Sequence, residues 1–232
     1  MYMHPTSGFR TSGEGPAPPS SVSFVQFTDE QLRRFAPPER YLRRRRAAEL
    51  VLIAASAPLT VPLLLLTALA VRIDSPGPVF FFQERVGMDG RRFTMVKFRS
   101  MKIGSGDGSL LTGVCDRRVT RLGRFLRAYH LDELPQLWNV LRGEMSLIGP
   151  RPEPAALADV FERDIPLYHY RRVVPCGITG WGQVNLGYAA DIEGTRTRLS
   201  YDLHYVLNLS PWLDLKILYL TIFAVLTRYG AR

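Results

Sequence analysis

The strongest feature of the hydropathy pattern is a run of 22 consecutive uncharged, mainly apolar positions, residues 50–71. Wound as a helix it would be roughly 33 Å long, enough to cross a hydrocarbon layer of about 30 Å. An ordinary transmembrane helix is the plain reading. Two features favour a different one. Pro58 and Pro62 stand four residues apart near its middle, and each removes a backbone hydrogen bond and bends a helix. Both flanks are also basic: Arg43, Arg44, Arg45 and Arg46 precede the run, and residues 72–130 carry 12 Lys/Arg against 5 Asp/Glu. A spanning helix would put one basic flank on the wrong side of the positive-inside rule. A re-entrant segment, dipping into one leaflet and returning, satisfies both observations.

Beyond the turn cluster 74–78 (DSPGP) the pattern changes period. Residues 79–83 and 93–99 read as two strands of a hairpin around Gly87-Met88-Asp89-Gly90. A period of two puts Phe93, Met95, Lys97 and Arg99 on one face, so Lys97 and Arg99 should project together. Residues 104–113 hold four glycines and read as a mobile loop. Residues 117–129 form a basic helix with Leu122, Phe125 and Leu126 on its apolar side. The next helix shows Leu134, Leu137, Trp138 and Leu141 at i, i+3, i+4 and i+7, and Gly143 ends it. Ile148-Gly149-Pro150-Arg151-Pro152 is a stiff turn. Further helices are expected at 155–161 and at 195–207, the latter continuing through 212–227. Its apolar part, 217–226, is too short to span a bilayer but suits its surface.

Residues 1–42 are rich in Ser, Gly and Pro and read as a flexible tail, with a short amphipathic candidate at 28–35 stopped by Ala36-Pro37-Pro38-Glu39. No signal peptide is expected, since no apolar stretch follows a basic start there. The expected architecture is therefore α+β and helix-rich. It comprises the tail, a re-entrant membrane helix at 43–73, and a cytoplasmic catalytic domain at 74–232 with a small β-hairpin and interfacial amphipathic helices.

Composition narrows the chemistry. The chain of 232 residues has 30 Lys/Arg against 21 Asp/Glu and a formal charge of +9, which favours polyanionic partners. A mean hydropathy of −0.03 excludes a polytopic membrane protein. Two cysteines, Cys115 and Cys176, without a CxxC, rule out a disulfide scaffold and a structural zinc site. No P-loop is present, and no GxGxxG lies between a strand and a helix. Gly177-Ile178-Thr179-Gly180-Trp181-Gly182 reads as a tight turn with a packed Trp181. The four histidines lack ligand spacing, and His130 is read as structural.

Asp132-Glu133 is more informative. It precedes Pro135, a residue favoured in the first turn of a helix, where the dipole and free N–H groups favour anions. An acidic N-terminal cap explains the pair without chemistry. An ionised nucleophile or metal ligand explains it with chemistry, and the arginines nearby (Arg124, Arg127, Arg142, Arg151) suit a phosphate substrate with a divalent cation.

Five blocks now carry a resemblance: residues 75–87 (SPGPVFFFQERVG), 97–101 (KFRSM), 131–141 (LDELPQLWNVL), 145–152 (MSLIGPRP) and 177–181 (GITGW). In this order and spacing, over about residues 43–229, the chain resembles the bacterial sugar transferases. These are monotopic polyprenyl-phosphate phosphoglycosyl transferases that start exopolysaccharide and other glycoconjugate assembly. The chain looks like their minimal catalytic form. The resemblance implies transfer of a sugar-1-phosphate from a UDP-sugar to a polyprenyl phosphate such as undecaprenyl phosphate, with release of UMP. Asp132 matches the nucleophile that forms a covalent phosphosugar intermediate. Glu133, with Asp132, matches the Mg²⁺ ligands. Arg127 and Arg151 match arginines near the phosphates, Lys97 and Arg99 the basic strand, and Pro62 the break in the re-entrant helix. The implied setting is the cytoplasmic face of the bacterial inner membrane. Its implied partners are a UDP-sugar, the lipid carrier, the bilayer and a second copy of the chain, with no nucleic acid among them. Three positions depart from the family pattern: Val61 stands for Ser before Pro62, Glu49 for Asp after the basic run, and Cys176 for Pro before Gly177.

Two other classes of function compete. A catalytically silent membrane scaffold would not need an intact Asp132-Glu133 pair. A nucleic-acid binder would draw on the +9 charge alone, and the long apolar run and lack of a reading helix oppose it.

Overall fold

The computed structural model describes residues 37–104, 116–186 and 192–227, together with Glu30 and Phe35. The expected flexible tail, its amphipathic candidate and the glycine-rich loop fall almost wholly outside the described residues.

The apolar run lies inside one helix, α1 (Glu39–Asp74), of 36 residues and so roughly 54 Å long. The backbone is helical throughout, Pro58 and Pro62 included. The Ser56 and Thr60 hydroxyls turn back onto the carbonyls of Ile53 and Ser56 at 3.0 and 3.1 Å, and neither proline interrupts the helix. One stripe of α1 is buried against the rest of the chain at Glu49, Ile53, Thr67 and Val71. The opposite face, with Leu59, Leu65, Leu66 and Ile73, is open and apolar. Near its start Ile53 packs with Met95, Val140 and Met145; near its end Val71 packs with Phe98 and Leu126. The helix therefore lies along the domain and touches it at both ends.

Strands β1 (Phe80–Val86) and β2 (Arg92–Phe98) form the expected antiparallel hairpin, with Phe80 opposite Phe98 and Val86 opposite Arg92. Asp89 takes a left-handed conformation in the turn, at φ 54°. A basic helix, α2 (Arg121–Ala128), starts later than its apolar pattern suggested because Thr120 caps it, its side chain accepting from the Gly123 amide. The next helix, α3 (Gln136–Leu141), presents an unexpected face. Trp138 and Leu141 are exposed, while Gln136, Asn139 and Val140 are buried. The reason is polar. The Asn139 side-chain amide accepts from Val96 N at 3.1 Å and donates to Thr94 O at 2.8 Å, satisfying the outer edge of β2. Trp138 instead lines a groove of about 420 Å³ with Phe82, Phe93 and Arg142.

Strand β3 (Ser146–Ile148) leads through Gly149 to β4 (Glu153–Pro154), which pairs with β1, and to α4 (Ala155–Asp164). A parallel partner of β3, strand β5 (Gly177–Thr179), precedes α5 (Trp181–Leu186). Helices α6 (Ile192–Leu207) and α7 (Pro211–Thr227) close the chain. The expected continuous C-terminal helix is thus two helices. Pro211 cannot continue α6, and the Ser210 hydroxyl accepts from Leu213 N at 3.3 Å to begin α7.

The turn 148–152 and the glycine block 177–182 prove to be one unit. A Cβ at Gly177 would stand 2.1 Å from Gly149 N, and one at Gly180 would stand 2.2 Å from Gly149 O. Only glycine permits this approach of backbone to backbone, which sets where Arg151 emerges. Gly180→Ala must push β5 from Gly149 and is expected to cost about 1–3 kcal/mol. That corresponds to a fall in melting temperature of about 2–12 °C, to be read by thermal unfolding in detergent.

Candidate active site

Asp132 and Glu133 do not open an α-helix directly. They sit in a single 3-10 turn, Leu131–Glu133, between α2 and α3. His130 enters that turn in a left-handed conformation, φ 55°, and reverses the chain after α2. The Glu133 amide then donates to His130 O at 3.1 Å and that of Leu134 to Leu131 O at 3.3 Å. A helical periodicity cannot report such a turn, because its essential residue is a non-glycine in the left-handed region. Asp132 is brought back towards Arg127, and Glu133 towards β2 and the turn after β3.

The two carboxylates are treated differently. Glu133 Oε1 accepts from Lys97 Nζ at 2.6 Å and Arg151 Nη2 at 2.5 Å, and Oε2 accepts from Arg151 Nη1 at 3.1 Å. Burial opposes its ionisation, but Arg151 first and Lys97 second outweigh it and hold Glu133 well below the usual carboxylate range. Asp132 is buried as well, and among the described residues no group donates a hydrogen bond to its carboxylate. Burial, then the charge on Glu133, push the Asp132 carboxyl up, against the pull of Lys97, Arg127 and His130. One carboxylate is held and neutralised by cations; its buried neighbour accepts no hydrogen bond among the described residues. That is the division expected of a positioned ligand and an attacking group.

The arginines divide as well. Arg127 Nε donates to Ser100 Oγ at 2.8 Å, which orients the guanidinium near Asp132. Arg99 goes elsewhere. It donates to Ser75 O at 2.6 Å, Ser75 Oγ at 2.9 Å and Pro76 O at 3.0 Å, closing the C-terminal end of α1. Lys97 and Arg99 therefore do not converge: Lys97 reaches Glu133, and Arg99 reaches the carbonyls beyond α1. Pro62 lies inside α1, and the helix runs on through it.

Several buried cations escaped the sequence reading. Arg171 donates to Asp202 at 2.7 and 2.9 Å and to Arg151 O at 2.8 Å, holding the backbone beside the Glu133 partner. Arg198 donates to Glu153 at 2.6 Å. Arg85 donates to Pro152 O at 2.8 Å; burial, then Arg151, pull its pKa down to about 10. The signal was weak in each case, because these arginines reach their partners across the fold. The Cys176 thiol donates to Glu144 O at 3.6 Å, and burial pushes it up to about 12.

Mg²⁺ tends to use one or two carboxylates and completes its shell with water and substrate phosphate oxygens. Asp132 accepts no hydrogen bond among the described residues, and Glu133 has three of about four lone-pair sites filled by Lys97 and Arg151. Asp132 and Glu133 are the two carboxylates that would hold such an ion.

Known proteins resemble this chain over most of its length. The family model for bacterial sugar transferases matches residues 40–228. The chain is 45% identical over 212 residues to the UDP-N-acetylgalactosamine-undecaprenyl-phosphate N-acetylgalactosaminephosphotransferase of Aeromonas hydrophila, covering 91% of this chain and 50% of that one. It is 46% identical over 169 residues to the UDP-glucose:undecaprenyl-phosphate glucose-1-phosphate transferase of Xanthomonas campestris pv. campestris, covering 71% of this chain and 35% of that one. The enzyme of that name from Caulobacter vibrioides is 43% identical over 191 residues, 81% of this chain and 72% of its own. The chain thus spans half or less of the first two relatives. With the match running from the first turn of α1 to the end of α7, the chain belongs to the bacterial sugar transferase family.

Proposed function

We propose that the chain transfers a sugar-1-phosphate from a UDP-sugar to a polyprenyl phosphate such as undecaprenyl phosphate, releasing UMP, as a first membrane step of exopolysaccharide or other glycoconjugate assembly. The observation that carries the reading is the asymmetry of the dyad: Glu133 is clamped by Lys97 and Arg151, while Asp132 is buried and, among the described residues, accepts no hydrogen bond. The relatives' names supply the substrate class.

In this mechanism the Asp132 carboxylate attacks the phosphorus that bears the sugar. The bond from that phosphorus to the bridging oxygen breaks, UMP leaves with the electron pair, and an aspartyl phosphosugar remains. A phosphate oxygen of the lipid then attacks the same phosphorus and returns Asp132 as a carboxylate. Splitting the transfer in two avoids bringing two polyanions together in one step. Arg127 and Arg151 offset charge on the equatorial oxygens, which is where phosphoryl-transfer catalysis is chiefly won. Mg²⁺, held by Asp132 and Glu133 with the diphosphate, would supply further charge neutralisation. The experiment is direct: incubate the membrane-reconstituted protein with radiolabelled undecaprenyl phosphate, Mg²⁺ and a panel of UDP-sugars. Labelled lipid diphosphate sugar with one or more of them is expected; no product with any would reject the reading.

The same reading puts the domain on the cytoplasmic face of the inner membrane, with both ends of α1 on that side. Contacts of Ile53 and Val71 with one domain support a same-sided helix, since a perpendicular span would carry one of them away. The open faces of α1 and of α7, where Trp212, Tyr219 and Leu226 are exposed, supply the apolar surface such an orientation requires. Single cysteines at Gly13 and Gly230, in a background without Cys115 and Cys176, should both resist an impermeant thiol reagent in intact cells. Labelling of Gly13→Cys alone would mean that α1 spans.

A further inference from the structure

A second buried charge cluster lies away from the reacting carboxylates, where α1 meets β3. Arg45 donates to Ser146 Oγ, to the Ile148 carbonyl and to Tyr205 OH, the last at 2.8 Å. Its Nε stands 3.2 Å from Glu49 Oε1 and 3.8 Å from Asp214 Oδ2. Glu49 accepts in turn from the Ser146 hydroxyl and from Leu147 N at 3.2 Å. Every residue of β3 is therefore held by two side chains one turn apart on α1. Arg151, which clamps Glu133, follows Ile148 by three residues.

Stability is a poor explanation for this cluster. Desolvation of buried ion pairs commonly offsets their attraction, and setting a unique geometry is their better-attested use. A three-residue strand paired with one neighbour has little to fix its exit direction. The glycine contacts with β5 hold the exit from one side, and Arg45 and Glu49 hold the strand itself.

We propose that Arg45 and Glu49 are positioning residues for the transfer reaction. They fix β3, and through it the Arg151 guanidinium against Glu133, so that the reacting geometry depends on the first turns of α1 being docked. The inference rests on the sugar-phosphate transfer reading given above.

The test uses the full chain in phosphatidylglycerol–phosphatidylethanolamine vesicles, with rates of UMP–UDP-sugar exchange normalised to folded, membrane-bound protein. Arg45→Lys keeps the charge but loses the fork that reaches three acceptors. A displacement of about 1 Å at a reacting group can cost on the order of 100-fold. Arg45→Lys is expected to lower kcat about 10- to 100-fold with KM for the UDP-sugar nearly unchanged. Ser146→Ala, which removes one hydroxyl and no charge, should lower it about 3- to 10-fold and decides the question if Arg45→Lys does not fold. Because both act through Arg151, each should cost less than about 3-fold in an Arg151→Ala background. Hydrogen exchange at the Leu147 amide should also quicken in Glu49→Ala, a readout independent of turnover. Additive losses in the Arg151→Ala background, or unchanged kcat in Ser146→Ala, would overturn the proposal. A wild type silent with every UDP-sugar would instead reject the transfer reading, and the inference with it.

Discussion

Asp132→Asn is expected to abolish turnover, lowering kcat by about 10⁴-fold or more, while the protein melts at a higher temperature than the wild type. The first effect follows from removing the attacking oxygen. The second follows from its surroundings. Burial and the neighbouring Glu133 charge push the Asp132 carboxyl up, so its ionised form is costly in the folded chain. A group whose folded pKa lies above its unfolded value favours folding at low pH. That contribution fades as pH rises from the ordinary carboxylate range through the raised value. At neutral pH an amide, neutral and nearly isosteric, escapes the cost. Activity should run the opposite way in the wild type, rising through that window as the nucleophile ionises. Three measurements check this: UMP–UDP-sugar exchange without lipid acceptor, label retained from a UDP-sugar carrying ³²P in its sugar phosphate, and thermal melting. Exchange persisting in Asp132→Asn would remove the covalent intermediate and favour direct attack by the lipid phosphate.

Arg151→Ala should lower kcat/KM by about 30- to 1000-fold, the worth of a charged hydrogen bond in a partly dry site. It should also change the acid limb of stability. In the wild type the Glu133 carboxyl is held well below its unfolded value, so its contribution is present above the ordinary carboxylate range. That contribution is lost only as pH falls through the depressed value. Without Arg151, Lys97 is the one remaining hydrogen-bond partner of the Glu133 carboxylate among the described residues, and the loss should begin at higher pH. Removing one partner of a buried pair typically costs about 3–5 kcal/mol. Arg151→Lys should recover part of the activity and little of the bidentate geometry. A melting series between pH 3 and 8 with parallel kinetics checks both. Unchanged kcat/KM in Arg151→Ala would separate that residue from the phosphates.

Much of the fold was legible from local pattern. The apolar run, the hairpin, the basic helix and the acidic pair each announce themselves through periodicity, turn residues or adjacency. These are properties of a chain with its neighbours within a few residues, where sterics and solvation act directly. The same logic misjudged α3. There the apolar stripe of Trp138 and Leu141 faces outward because Asn139 found a more demanding partner in the edge of β2. It also missed the break between α6 and α7, where a helical pattern runs on both sides of Pro211.

By itself the sequence determined which groups the site contains: two adjacent carboxylates, an excess of basic residues and an apolar helix to hold them at a membrane. Tertiary structure decided what each group does. Asp132 and Glu133 are neighbours in sequence with nearly identical chemistry. They differ because Lys97, from 35 residues before Asp132, and Arg151, from 18 residues after Glu133, converge on only one of them. Arg99 and Arg151 were both candidate site cations, but Arg99 is spent on backbone carbonyls beyond α1, while the glycine contacts at Gly149 set Arg151 against Glu133. A side chain's pKa and partners depend on charges within a few ångströms, and in a folded chain most of those come from distant sequence.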